Sequence, residues 1–327
     1  MTSKKDQTAS RRAFLRQAGI AAAAASGVGL WGWWGYSTEP VRLGDEVIHQ
    51  FKNFSVAANK LYPEMVIAQG QDVEQMVRGL FESMGGVARF VSPHEKVLLK
   101  PNVGWDRQPE QAANTGPELV GALCKILREA RAEVLVVDHS INDPARAFHR
   151  SGIEQAAQEA GAKVLYGAKN NFVETDFKGE ILKVWPALEA FHQVDKVINL
   201  PIAKHHSLSN CTLSMKNWYG VIGGRRNRLH QKIHQSIADL AGAIHPTLTI
   251  LDATRVLRRN GPTGGNLEDV TQENCLVASL DEVALDTYAA QRWFEKGPDQ
   301  IDYLKLGQAR GLGTTDWKSL NTKELQL

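Results

Sequence analysis

An α/β fold, with a mostly parallel sheet and helices on its flanks, is what the sequence predicts, and three observations carry that prediction. Short apolar runs such as residues 96–100, 133–138 and 194–200 have the length of strands buried on both faces. Segments with apolar residues at 3.6-residue spacing alternate with those runs, the order that builds parallel sheets through right-handed crossovers. Apolar residues make up 43% of 327 positions, enough to fill the core of one large domain with Rossmann-like layers.

Residues 65–68 read as a first strand. Residues 72–84 read as a helix, because Val73, Met76, Val77, Leu80 and Phe81 share a face, Asp72 caps the start and Gly85-Gly86 stops it. The run 96–100 leads into Pro101-Asn102, and Pro117 opens a helix that reaches about residue 131. A strand at 133–138, a helix around 153–160 and a strand at 162–166 come next. Residues 168–193 break the rhythm, and Gly179 between extended residues makes them a hairpin insertion. A strand at 194–200, a helix at 231–243, strands at 247–252 and 276–279 and a helix at 281–294 complete the body.

Ahead of the body, Ser10-Arg11-Arg12-Ala13-Phe14-Leu15-Arg16 precedes an uncharged stretch, residues 18–34. The pattern resembles a twin-arginine signal. That resemblance implies export of a folded chain by the twin-arginine translocation machinery, a periplasmic or other extracytoplasmic location, and a precedent for loading a cofactor before export. The stretch is about long enough to span a membrane and ends in Trp31, Trp33, Trp34 and Tyr36, residues suited to a membrane interface. Cleavage and retention as a membrane tether both stay open. The domain reading is therefore a signal or anchor at 1–37, a connector at 38–64 and a single α/β domain at 65–327.

The formal charge of +2 is uneven, since residues 1–37 carry five basic side chains against Asp6, leaving the body near −2. A balanced body argues against nucleic-acid binding, which needs accumulated basic surface. Cys124, Cys211 and Cys275 are odd in number and widely spaced, so neither a disulfide framework nor a cysteine metal site is expected.

Ligands of parallel sheets bind beyond the carboxyl ends of the strands. Lys100 and Asn102, Asp138, Lys204 with His205 and His206, and Asp252 each follow a strand, so they are expected to meet on one rim. Either histidine of the pair suits acid–base work, and Lys204 and Lys216 suit an anion or a solvated surface equally. Asp138 and Asp252, at strand ends, suit ligation of a cation, orientation of a histidine or capping of the next helix. His230 and His234, at helical i,i+4 spacing, share a face that suits a divalent metal or a solvated surface. The glycines of residues 260–265, after Asn260, permit close approach of backbone to a ligand but lack a phosphate-loop ending.

Lys100-Pro101-Asn102, Thr115-Gly116-Pro117, Asp138, Lys204-x-His206, Met215-Lys216-Asn217-x-x-Gly220, Asn260-Gly261-Pro262 and the Asp281/Asp286 helix together resemble the domain of unknown function 362 family over about residues 95–295. The resemblance implies functional positions at Lys100, Asn102, Asp138, Lys204, His206, Lys216, Asn217, Asn260 and Asp281. Members often accompany ferredoxin-like cysteine clusters. This chain has no Cys-x-x-Cys run, so no iron–sulfur cluster is expected within it.

The expected function is thus an exported enzyme or redox-linked protein that binds a small anionic ligand, with a metal as an open cofactor. Its catalytic candidates are His206, Lys204, Lys216 and Asp138, its binding candidates Lys100, Asn102, Asn217 and Asn260, and its metal ligands His230 and His234. The alternative is a non-catalytic, membrane-tethered accessory or binding protein serving an exported redox partner.

Overall fold

The computed structural model describes residues 47–168 and 171–327, so the twin-arginine pattern and the first part of the connector lie outside the described residues. The body starts with β1 (Met65–Gln69), α1 (Val73–Ser83), β2 (Lys96–Pro101), α2 (Pro117–Glu129) and β3 (Glu133–Asp138). It continues through α3 (Pro144–Arg150), α4 (Ile153–Glu159), β4 (Lys163–Tyr166), the pair β5 (Phe172–Asp176) and β6 (Val184–Leu188), β7 (Lys196–Leu200), β8 (Ile202–His206) and β9 (Asn210–Thr212). The last part holds α5 (Ser214–Asn217), α6 (Ile233–Ala243), β10 (Leu248–Leu257), β11 (Val270–Ser279), α7 (Glu282–Phe294), α8 (Asp302–Ala309) and β12 (Thr322–Gln326).

The main sheet runs β12-β1-β11-β10-β7-β2-β3-β4, with β8 beside β10 and β9 beside β8. Pairing from β10 through β4 is parallel, whereas β11 is antiparallel to both β10 and β1. The predicted fold class holds. A separate antiparallel pair, β5 and β6, forms the hairpin expected within 168–193.

Strand periodicity sorts the core into two layers. Val97 and Leu99 of β2, Val134 and Val136 of β3, and Ile198 and Leu200 of β7 pack toward α1 and α2. The intervening Leu98, Val137 and Val197 join the opposite layer with residues of α5, α6, α7 and α8. Lys100 continues the Leu98 face and Asn199 the Val197 face, so both polar side chains project beneath α5. This two-residue step is what delivers the site residues.

Several elements lie beyond the predicted ones. Lys204, His205 and His206 form β8 itself instead of a loop after β7, because β8 pairs with the far half of β10. The helices α3 and α8, the short β9 and the edge strand β12 also went unforeseen. The connector's described part lies along the body, where Phe54 is buried and His49 and Asn53 make single bridges to Thr175 and His245. Among the described residues no helix is long and apolar enough to cross a membrane.

Candidate anion-binding cavity

The site is built in two shells, distinguished by how many hydrogen bonds each polar group has already made. Lys100, fully buried, lies 2.7 Å from Asp138 Oδ1 and donates to Pro101 O at 2.8 Å and Asn217 Oδ1 at 3.0 Å. An ammonium has three donors, so Lys100 has none left. Asp138 Oδ2 accepts the Val103 N–H at 2.7 Å. Asn217 is equally saturated: Oδ1 accepts from Lys100 and Asn102, and Nδ2 donates to Lys100 O and Asn199 Oδ1. Burial lowers the Lys100 pKa, and the Asp138 carboxylate opposes that shift.

This inner shell rests on α5 and α7. Asn199 donates to Glu282 Oε1 at 2.6 Å, and the same carboxylate receives Thr249 Oγ1 and Trp218 Nε1. The backbone N–H groups of Ser214 and Met215 donate to Asp286, which satisfies the start of α5 and fixes where Lys216 and Asn217 emerge. Burial raises the pKa of Glu282, and that of Asp286 to about 8.

The outer shell has donors to spare. Lys204 donates to Asn102 Oδ1 at 2.8 Å and to Ala113 O at 2.5 Å, leaving one position on nitrogen. The ring of His206 accepts the Leu208 and Ser209 N–H groups at Nδ1, which puts its proton on Nε2 as a donor. Lys216, 7% exposed, makes no hydrogen bond to the described residues, and its nitrogen sits 4.4 Å from the Tyr219 ring centroid. Arg226 spends three of its five donors on the carbonyls of His139, Tyr219 and Ser140.

These groups surround one cavity of about 480 Å³, whose described lining includes four cationic side chains, Lys100, Lys204, Lys216 and Arg226, and a single carboxylate, Asp138. Burial, reinforced by Lys216, brings Lys204 down to about 7, and burial with Arg226 brings Lys216 to about 7. Burial and the two lysines push His206 down to about 2, so its ring stays neutral. The cavity therefore presents strained positive charge and free N–H donors, the complement of an anion.

Of the residues predicted from sequence, Lys100, Asn102, Asp138, Lys204, His206, Lys216, Asn217 and His230 line this cavity. Lys204 and His206 share a face because they are two apart in β8, while His205 points away and its Nδ1 accepts the Gly261 N–H. Asn260 does not reach the cavity, because its amide donates to Asp269 Oδ2 at 2.7 Å. The His230/His234 pair does not share one helical face. His230 belongs to the 3₁₀ turn Arg226–Lys232, with its ring 6.3 Å from that of His206, whereas His234 is in α6 and stacks on Tyr303 at 5.9 Å. Among the described residues no group of three or more His, Cys, Asp or Glu side chains is placed to hold a metal ion.

Asp281 is a helix cap, whereas Asp252 is not in the cavity lining and is spent on backbone and Thr254. Asp252 receives the Gly116 N–H before α2, and Asp281 the Ala284 N–H of α7. Sequence reasoning passed over Arg226, Thr212 and Trp105 at the cavity, and Asn199 and Glu282 beneath it. Arg226 and Trp105 lie outside the regular strands and helices, where no periodicity marks them.

Residues 97–291, more than half of the chain, match the family described as Domain of unknown function (DUF362). The chain belongs to this DUF362 family. A Synechocystis protein described as thylakoid-associated is 29% identical over 249 residues, covering 73% of this chain and 75% of its own length. Two solved structures are also similar, a Thermotoga maritima protein with a TM-score of 0.37 and the lactate racemase apoprotein of Thermoanaerobacterium thermosaccharolyticum with 0.38. Each is 9% identical and covers 74% of this DUF362 chain, which in turn spans 58% and 60% of their lengths.

Proposed function

We propose that this DUF362 protein is an acid–base enzyme that binds a small organic anion between Lys204, His206 and Lys216. The observation that carries the reading is the convergence of unused donors on a cavity whose one carboxylate among the described residues is already paired. An anion there would accept from Lys204, Lys216 and the Nε2–H of His206, relieving the charge strain of burial. Lys216 is the proton carrier, because it is tied to no acceptor among the described residues and its pKa of about 7 suits exchange in either direction at neutral pH. His206 acts as a fixed donor, since Nδ1 is occupied by two backbone N–H groups, the ring stays neutral and its one proton sits on Nε2. Lys204 positions the anion from the opposite side. Lys100, Asp138 and Asn217 hold this arrangement without touching the ligand's charge.

The activity belongs, in this reading, outside the cytoplasm. Its support is the Arg11-Arg12 pattern and the uncharged segment after it, which is also about long enough to serve as a membrane tether.

The test is a panel of small carboxylates and phosphate esters incubated with full-length protein in D₂O and followed by NMR for deuterium incorporation and product. Exchange or turnover that disappears in Lys216→Met supports the proposal. Binding by calorimetry without exchange or turnover of any panel member would instead make the protein a non-catalytic carrier.

A further inference from the structure

The cavity has a second chemical character, set by what stands at its mouth. Its cationic floor is almost completely buried, with Lys204 and Lys216 at 2% and 7% exposure, while Ile141 and Leu208, in its lining, are each 56% exposed. The outer part of the cavity therefore carries large apolar side chains, beside the exposed Ser207 and Asn227. One exposed leucine would need no explanation. Here Ile141, Leu208 and Trp105 come from three separate loops and face the same cavity.

Those loops are bound to the polar floor. The Leu208 N–H donates to His206 Nδ1, the bond that also sets the His206 tautomer. The Ile141 N–H donates to Gly104 O and the neighbouring Ser140 Oγ to Val103 O, so the loop of Ile141 is tied to the loop that carries Trp105. Trp105 is held at both its N–H and its carbonyl by Asn114. Apolar side chains fixed at a set distance from donors make a matched pair of subsites rather than a loose rim. Size points the same way, because about 480 Å³ is room for on the order of ten or more waters, far more than one inorganic oxyanion displaces.

We propose that the ligand is an amphipathic organic anion, its charged head against Lys204, Lys216 and His206 and its apolar or aromatic substituent against Trp105, Ile141 and Leu208. This rests on the anion-binding reading above and adds the class of substrate. A carboxylate and a phosphate monoester share the required chemistry.

Isothermal titration of full-length protein with two matched pairs of probes separates these sources. The pairs are inorganic phosphate with phenyl phosphate, and acetate with phenylacetate. Within the pair whose head group fits, the phenyl compound binds tighter by about tenfold or more, the gain expected for burying part of a ring. In Leu208→Ser that ratio falls toward one, and in Lys216→Met both members of the pair weaken. Equal affinities within the pair that binds would overturn the amphipathic assignment and leave the anion site standing. Failure of all four probes to bind would overturn both.

Discussion

Lys100 and Lys216 are both buried lysines of one cavity, yet their bonding predicts opposite responses to removal. Lys216 lacks hydrogen-bonded partners among the described residues, and its pKa is lowered from the usual 10.5 to about 7 by burial and Arg226. Between those two values the unfolded chain holds a proton that the folded one has released, so this group's contribution to stability rises with pH across that window. Below about 7 both states are protonated and the cost of the buried charge is fully present. Lys216→Met should therefore melt higher than the parent at pH 7, with the gap closing as pH approaches 10. The difference between the two proteins is the proper readout, because the buried thiols of Cys124, Cys211 and Cys275, pushed up to about 12, work in the opposite sense above pH 9. Lys100→Met should do the reverse at pH 7, losing about 3–5 kcal/mol, because the Asp138 carboxylate is left buried without its cation. Equal melting shifts for the two variants would dissolve the distinction between the saturated inner shell and the outer one.

At the scale of elements, the spacing from Lys216 to Gly220 is explained by the turn between them. The 3₁₀ turn Trp218–Val221 passes directly over the Lys100–Asp138 ion pair, and a Cβ on Gly220 would overlap both the Asp138 carboxylate and the Lys100 ammonium. Gly220→Ala should cost about 1–3 kcal/mol in urea unfolding, as overpacking of a close-packed site does, and it should weaken anion binding because the floor of the cavity has to shift. Unchanged stability would mean that the turn moves freely. The elements themselves were largely readable, because strand and helix periods are local properties of sequence. So was the approach of Lys100, Asn102 and Asp138, which the strand-end rule brings to one rim, whereas Lys204 arrives from within β8 and Asp252, expected at the same rim, stays out of the cavity. Which of them are saturated was not readable, since that depends on Asn217 and Pro101 O surrounding Lys100 in three dimensions. The His230/His234 spacing suggested a shared face that vanishes because the regular helix begins only at Ile233. Asn260 was drawn in by its glycine-rich neighbours, and its bond to Asp269 turns it away from the ligand space.

At the scale of the molecule, one edge of the main sheet is closed by β12. It pairs in parallel with β1 from Met65↔Thr322 to Gln69↔Gln326, and the Leu327 N–H donates to Gln69 O at 2.8 Å. The closing strand does not alternate in burial: Leu325 packs on the layer beneath α1, while the adjacent Lys323 and Glu324 are both exposed and place charge on the outer edge. Such charges discourage pairing with another sheet. Beneath β12, β1 carries the continuous apolar run Met65, Val66, Ile67 and Ala68 with no charge of its own. Removal of residues 322–327 would thus exchange a charged edge for an apolar one with unpaired backbone groups. The truncated protein should form dimers or larger aggregates in size-exclusion chromatography at concentrations where the full-length chain, handled identically, does not. The cavity lies across the sheet, beyond β10, β7 and β2, so monomeric truncated protein should still bind the phosphate or carboxylate probe that the full-length chain binds. Loss of binding in that monomer would show that the edge strand supports the site through the sheet, whereas a truncated chain that stayed monomeric would show that β1 is protected by something other than β12.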